Sequence, residues 1–126
     1  MAEYANPDVL VSTDWVLEHH QDANLKILDV CEDVLLYDTG HIPGAVSFPW
    51  RESFAKQDAP TLLDRQRLQV ILGRAGPTPE RQMVIYCRTG TQASWLYFVA
   101  RYLGYSPRLY DGSYMEWSAD PSLPVE

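Results

Sequence analysis

Met83-Val84-Ile85-Tyr86-Cys87-Arg88-Thr89-Gly90-Thr91-Gln92-Ala93-Ser94-Trp95-Leu96 is the stretch that decides the fold. Its first four residues form an unbroken apolar run, the pattern of a strand buried on both faces of a parallel sheet. Cys87 ends that strand, Arg88-Thr89-Gly90-Thr91 is a polar turn, and residues 93–103 read as a helix that is apolar almost all round and therefore mostly buried. Gly104 falls just past the helix end, where a left-handed residue closes the last turn.

Outward from this unit the same alternation repeats. Leu25-Lys26-Ile27-Leu28-Asp29-Val30 is a strand candidate ending at acidic residues, and Gly40-His41-Ile42-Pro43-Gly44 punctuates before a second one at residues 45–50. Val9-Leu10-Val11 reads as a short strand leading into a helix capped from Ser12, Thr13 or Asp14. After a polar loop, Asp64 caps a helix whose apolar residues Leu68, Ile71, Leu72 and Ala75 share one face, and Gly76-Pro77 stops it. Arg108-Leu109-Tyr110 reads as a last strand, with Asp111-Gly112-Ser113 as a turn and helix start. This order predicts a single α/β domain over residues 1–126, with a mostly parallel sheet, helices on both faces, and ligands bound at the carboxyl ends of strands.

Composition narrows the function. A chain of 126 residues that is 46% hydrophobic and 21% charged can bury a core without metals or disulfides. Ten Lys and Arg against 17 Asp and Glu leave a net charge of -7, which argues against nucleic acid or an acidic membrane surface as partner. The longest uncharged runs hold about a dozen residues, well short of a bilayer span. The first residues carry acids where a secretory leader needs a basic region, so the expected location is the cytoplasm. Cys31 and Cys87 fit neither a zinc spacing nor a disulfide framework and are expected as free thiols.

Cys87 carries the chemistry. The N–H groups of its loop and of the following helical turn, with the positive end of the helix dipole, favour a thiolate at their focus. Arg88 adds a cation, Gly90 lets the backbone curl into a nest, and Thr89 and Thr91 add hydroxyl donors. Gln92 and Ala93 complete the anion cradle. The bland alternative is a buried structural thiol, since free Cys is among the most buried residue types. A Cys-x5-Arg phosphatase would need Arg where this chain has Ala93, so the bidentate phosphate clamp is missing.

Three motifs carry a resemblance. Residues 37–48, Tyr37-Asp38-Thr39-Gly40-His41-Ile42-Pro43-Gly44-Ala45-Val46-Ser47-Phe48, the loop Cys87-Arg88-Thr89-Gly90, and Tyr110-Asp111-Gly112-Ser113-Tyr114-Met115-Glu116-Trp117 resemble, in order and spacing, the signatures of the rhodanese family of sulfurtransferases. The resemblance implies a three-layer sandwich around a parallel sheet. It also implies a two-step reaction in which Cys87 takes the outer sulfur of a small anionic donor such as thiosulfate, becomes a persulfide, and passes the sulfur to cyanide or another thiophile. No metal or organic cofactor is implied.

The departures from the family pattern concern charge. Thr89 stands where thiosulfate-type members often have Lys, Gln92 where many single-domain members have Arg, and Asp29-Val30-Cys31 where Asp-Val-Arg is common. Arg88 argues against the mercaptopyruvate branch, whose loops tend to be uncharged. The rival from another class is a non-enzymatic rhodanese-like module that binds a partner or carries persulfide sulfur; an intact cysteine and a glycine-containing loop favour the enzyme.

Of the remaining candidates, His41 reads as a turn residue, Asp29 and Asp111 as structural acids, and His19 and His20 as cations near a helix end. Trp15, Trp50, Trp95 and Trp117 read as core or pocket wall. Cys31 reads first as a small buried hydrophobe; lying near Cys87, it would be able to attack the Cys87 persulfide and release sulfide.

Overall fold

A computed structural model describes residues 7–56, 59–74, 82–89 and 91–126 of the chain. Four parallel strands form the main sheet: β1 (Leu25–Asp29), β2 (Ala45–Ser47), β5 (Gln82–Tyr86) and β6 (Pro107–Leu109), in the order β2-β1-β5-β6. A separate antiparallel pair, β3 (Phe54–Lys56) and β4 (Ala59–Leu62), lies between β2 and β5 in sequence. The helices are α1 (Thr13–His19), α2 (Val34–Thr39), α3 (Arg65–Arg74), α4 (Thr91–Tyr102) and α5 (Ser113–Ala119).

Side-chain alternation along the strands sorts the two layers. Leu28, Met83 and Ile85 face one side with Val30 and Cys87, where they pack on Leu68 and Leu72 of α3 and on Ala93, Leu96, Val99 and Ala100 of α4. Ile27, Val84 and Tyr86 face the other side and pack on Val16 of α1 and on Tyr114 and Trp117 of α5. Residues 83–86 are all buried, as a strand covered on both faces requires.

The helix ends follow local chemistry. The Ser12 hydroxyl accepts from the Trp15 N–H at 3.1 Å and starts α1, while the Asp64 carboxylate accepts from the Arg67 N–H at 2.9 Å and starts α3. Gly104, with φ +95°, lets the chain leave α4 in the left-handed conformation expected of it. The last expected helical residue, Ala75, and the stop expected at Gly76-Pro77 lie outside the described residues.

Four sequence expectations need correction. Val9-Leu10-Val11 is not a strand: residues 7–9 make a 3-10 turn and Leu10 forms a single bridge to Leu109. The stretch between the second and third strand candidates is not a plain turn but holds α2, capped by Asp33, whose carboxylate accepts from the Leu35 N–H at 2.9 Å. Part of the polar loop after residue 50 pairs as β3 and β4. Helix α4 starts two residues early and is not buried all round; Phe98 and Tyr102 stack on its outer face, both more than half exposed.

The strand order positions the site. The strand order reverses between β1 and β5, which run parallel: β2 follows β1 on one side, and β5 lies on the other. A sheet of this kind opens a crevice beyond the carboxyl ends at that switch point, because the loops leaving the two strands diverge to opposite faces. The residues at those ends are Asp29-Val30-Cys31 and Cys87-Arg88.

Candidate active site

The crevice at the switch point is a cleft of about 430 Å³. Cys31, Glu32 and Asp33 reach it from the end of β1, Leu36 from α2, and Trp50 from the turn after β2. Cys87, Arg88 and Thr89 come from the end of β5, and Thr91 and Gln92 from the first turn of α4. Five of the loop residues singled out in the sequence thus meet in one cleft. Ala93 does not line it: it is fully buried in the core beneath, where only a small side chain lets α4 approach the sheet. Gly90 lies outside the described residues.

Cys87 is 2% exposed, so the thiol sits at the floor of the cleft rather than on its rim. Its backbone is fixed from behind. The Cys87 N–H donates to the Ser113 hydroxyl at 3.2 Å, and that hydroxyl donates to the Tyr110 carbonyl at 3.0 Å. The first N–H groups of α5 then take the loop carbonyls, Tyr114 N–H to Cys87 O at 2.9 Å and Met115 N–H to Arg88 O at 3.1 Å. With these carbonyls turned toward α5, the amino terminus of the 12-residue α4 is the element that presents N–H groups at the cleft side of the loop.

Ser113 holds this arrangement in an unusual conformation. It is fully buried and is the one non-glycine residue with positive φ, +56°, among the described residues. A left-handed β-carbon costs about 1–2 kcal/mol, which the hydroxyl's two buried hydrogen bonds offset.

Among the described residues Arg88 is the one cation lining the cleft, and it is anchored. Its guanidinium donates to the Leu36 carbonyl at 2.9 Å and lies 4.6 Å from the centre of the Tyr114 ring. Its charge also reaches the Cys31 thiol across the cleft. Burial pushes the Cys31 thiol up, the Asp29 carboxylate adds to the rise, and Arg88 partly opposes it.

Asp29, 5% exposed, organises the chain under the cleft. Its carboxylate accepts from the Cys31 N–H at 3.0 Å, and the Tyr86 hydroxyl, which acts on that carboxylate, accepts from the Ile42 N–H at 3.1 Å. Burial raises the Asp29 carboxyl above its ordinary range against the pull of these donors and of Arg88. Burial likewise drives the Tyr86 hydroxyl far above the range of an exposed phenol, helped by Asp29.

The mouth of the cleft is acidic. Glu32 and Asp33 are exposed there, and Glu32 pairs with Arg51. Gln92 ties α4 to this rim, its carbonyl accepting from the Glu32 N–H at 3.1 Å and its amide donating to the Glu32 carboxylate at 3.4 Å. Trp50 forms an apolar wall, packed edge-on against Phe54 and Trp95.

The other candidates fall outside the cleft lining. His41 stacks on Tyr37 at 3.8 Å and donates from Nδ1 to the Tyr37 carbonyl at 2.9 Å, the role of a turn residue. His19 does the same with Trp15 at the end of α1. Asp111 is exposed. Cleft residues that sequence reasoning missed are Glu32, Asp33 and Leu36, together with Ser113 as the support of Cys87. Their only sequence signal is adjacency to a strand end or to the closing motif.

Comparison with known proteins shows the family. A family profile described as rhodanese-like domain matches residues 12–120. The sulfur carrier protein TtuD of Thermus thermophilus is 36% identical over 116 residues, covering 90% of this chain and 41% of that protein. A thiosulfate sulfurtransferase of Azotobacter vinelandii is 36% identical over 124 residues, covering 91% of this chain and 45% of that protein. The chain therefore spans under half the length of these relatives. The solved structure of an anaerobic ergothioneine biosynthesis enzyme from Chlorobium limicola, in complex with trimethyl histidine, superposes with a TM-score of 0.82 at 24% identity. It covers 97% of this chain and 32% of that one, a likeness of fold.

Proposed function

We propose that this chain, which belongs to the rhodanese-like domain family, is a sulfurtransferase that works through a persulfide on Cys87. The observation that carries the reading is the placement of the Cys87 thiol at the floor of the switch-point cleft, directly before the amino terminus of α4.

The chemistry follows from that placement. The Cys87 thiolate attacks the outer sulfur of a donor such as thiosulfate; the donor's S–S bond breaks and sulfite leaves with the electron pair. The terminal persulfide sulfur then carries the negative charge, one atom further out from the floor of the cleft. The N–H groups at the start of α4 serve both anions, which is covalent catalysis with fixed electrostatic support. Cyanide or another thiophile attacks the terminal sulfur, and the thiolate returns. Arg88, Thr89, Thr91 and Gln92 face the donor in the cleft, and Ala93 keeps the helix close to the sheet.

We place the reaction in the cytoplasm, where both cysteines stay reduced. Among the described residues no helix is long and apolar enough to cross a membrane.

The test is thiocyanate formation from thiosulfate and cyanide by the wild type and by Cys87→Ser. The reading requires activity in the parent and its loss, by roughly a thousandfold or more, in the variant. Activity that survives the substitution, or a parent inactive with every donor, overturns it. A parent that loads one sulfur on Cys87 but transfers it to no small thiophile acts as a carrier instead, the reading that the similarity to a sulfur carrier protein favours.

A further inference from the structure

The cleft holds two thiols, and the reaction proposed above uses one. Cys31 and Cys87 both line it, and neither is in a disulfide. The ladder between β1 and β5 continues one step past the strands, through the Val30 N–H to the Tyr86 carbonyl at 2.9 Å. Extended, that register pairs Val30 with Cys87 and leaves Cys31 one step diagonal from it; along a regular pleat the two side chains would face opposite sides, and it is the turn of both segments into one cleft past the strand ends that brings the thiols together. A strand separation of ~4.8 Å and a rise of ~3.3 Å put their α-carbons about 6 Å apart, inside the range of roughly 4.4–6.8 Å that a disulfide spans.

We propose that Cys31 is a resolving thiol that attacks the Cys87 persulfide, releases inorganic sulfide and closes a Cys31–Cys87 disulfide. The inference rests on the persulfide reading of Cys87. In the step, the Cys31 sulfur bonds to the inner sulfur, Sγ of Cys87. The bond between that sulfur and the terminal sulfur breaks, and its electron pair leaves with the terminal atom. The Cys31 thiol proton goes with it, so the product is hydrosulfide. No oxidant is consumed, because the persulfide is itself the oxidised partner. The disulfide is reopened by an external dithiol, which is oxidised to its own disulfide.

The surroundings of Cys31 suit this task. Burial and the Asp29 carboxylate keep its thiol protonated at rest, so it does not compete with Cys87 for the donor and it holds the proton that the leaving sulfide needs. Arg88, which lines the same cleft, stabilises the Cys31 thiolate as it forms. The Asp29 carboxylate fixes the Cys31 backbone through its N–H, so the thiol is held at the cleft rather than on a free loop.

The test loads the wild type, Cys31→Ser and Cys31→Ala with thiosulfate, and in a parallel arm with a low-molecular-weight thiol persulfide, then removes the donor. Of the protein that loads, intact mass under non-reducing conditions and released sulfide are followed over time. The wild type should lose the added sulfur as one equivalent of sulfide, end two hydrogens lighter than the reduced chain, and yield a Cys31–Cys87 linked peptide. In both variants the persulfide should live roughly tenfold longer or more, with no linked peptide. A persulfide equally durable in all three proteins, or sulfur found on Cys31 without a linked peptide, overturns the proposal and leaves the sulfurtransferase reading standing. A wild type that never gains the sulfur in either arm overturns both.

Discussion

The support of Cys87 by Ser113 gives a prediction whose size and order both follow from the structure. Replacing Ser113 by Ala keeps the left-handed β-carbon but removes the hydroxyl, which leaves the buried Cys87 N–H without its acceptor at 3.2 Å. The Tyr110 carbonyl still accepts from the Ser113 backbone at 3.1 Å, so only one group is orphaned. A buried unsatisfied donor costs about 1–3 kcal/mol. In a domain of this length each kcal/mol lowers Tm by roughly 3–5 °C, so the Ala variant should melt about 3–15 °C below the wild type. Ser113→Gly loses the same bond but relieves the positive φ, recovering about 1 kcal/mol. The expected order of stability is therefore wild type, then Gly, then Ala. Calorimetric melting, checked by urea unfolding, reads it directly. An Ala variant as stable as the wild type, or a Gly variant that falls as far as Ala, would refute the assignment of Ser113 as a strained support.

Other outcomes are equally concrete. Gly40→Ala should destabilise by about 1–3 kcal/mol in urea unfolding, because a β-carbon there would stand 2.5 Å from the Tyr114 hydroxyl and 3.1 Å from Val125 Cγ1. The value of kcat/KM for thiosulfate should rise between about 0.01 and 0.15 M salt, as the Debye length shrinks from roughly 30 to 8 Å and screens the acidic rim; a fall would mean that attraction to Arg88 dominates at long range. Tyr86 should show no phenolate absorbance until the protein unfolds. Since its folded-state value is raised, the unfolded chain loses that proton first, and above pH 10 this group should lower stability by about 1.4 kcal/mol per pH unit, a slope absent from Tyr86→Phe.

The unit from residue 83 to 103 was legible because an apolar strand, a polar turn and a helix differ in composition within a few residues. The long-range arrangement was less so. Helix α2 is only six residues, too short for a helical period to stand out between Asp33 and Gly40. The β3–β4 pair has an irregular register and no two-residue turn signal. Phe98 and Tyr102 looked like core because hydrophobicity alone does not say which side of a helix the sheet covers. At the site, Cys87 and its loop could be read locally, but the meeting of Cys31 with Cys87 depends on β1 lying beside β5, which is a property of the strand order. Ser113 reads as an ordinary turn residue; its bond to the Cys87 N–H spans 26 residues and has no local mark.

The bonds from α5 back to the Cys87 loop also set an order of events during synthesis. Cys87 is translated 26 residues before Ser113. At roughly 5–20 residues per second, about one to five seconds pass before the ribosome supplies the amides that turn the Cys87 and Arg88 carbonyls aside. During that interval the nascent chain carries an ordinary thiol on an unshaped loop. On the reading proposed above, the fitness of Cys87 to hold sulfur waits on the emergence of α5, and a transcript broken between these two points encodes a cysteine without the amides that shape its loop.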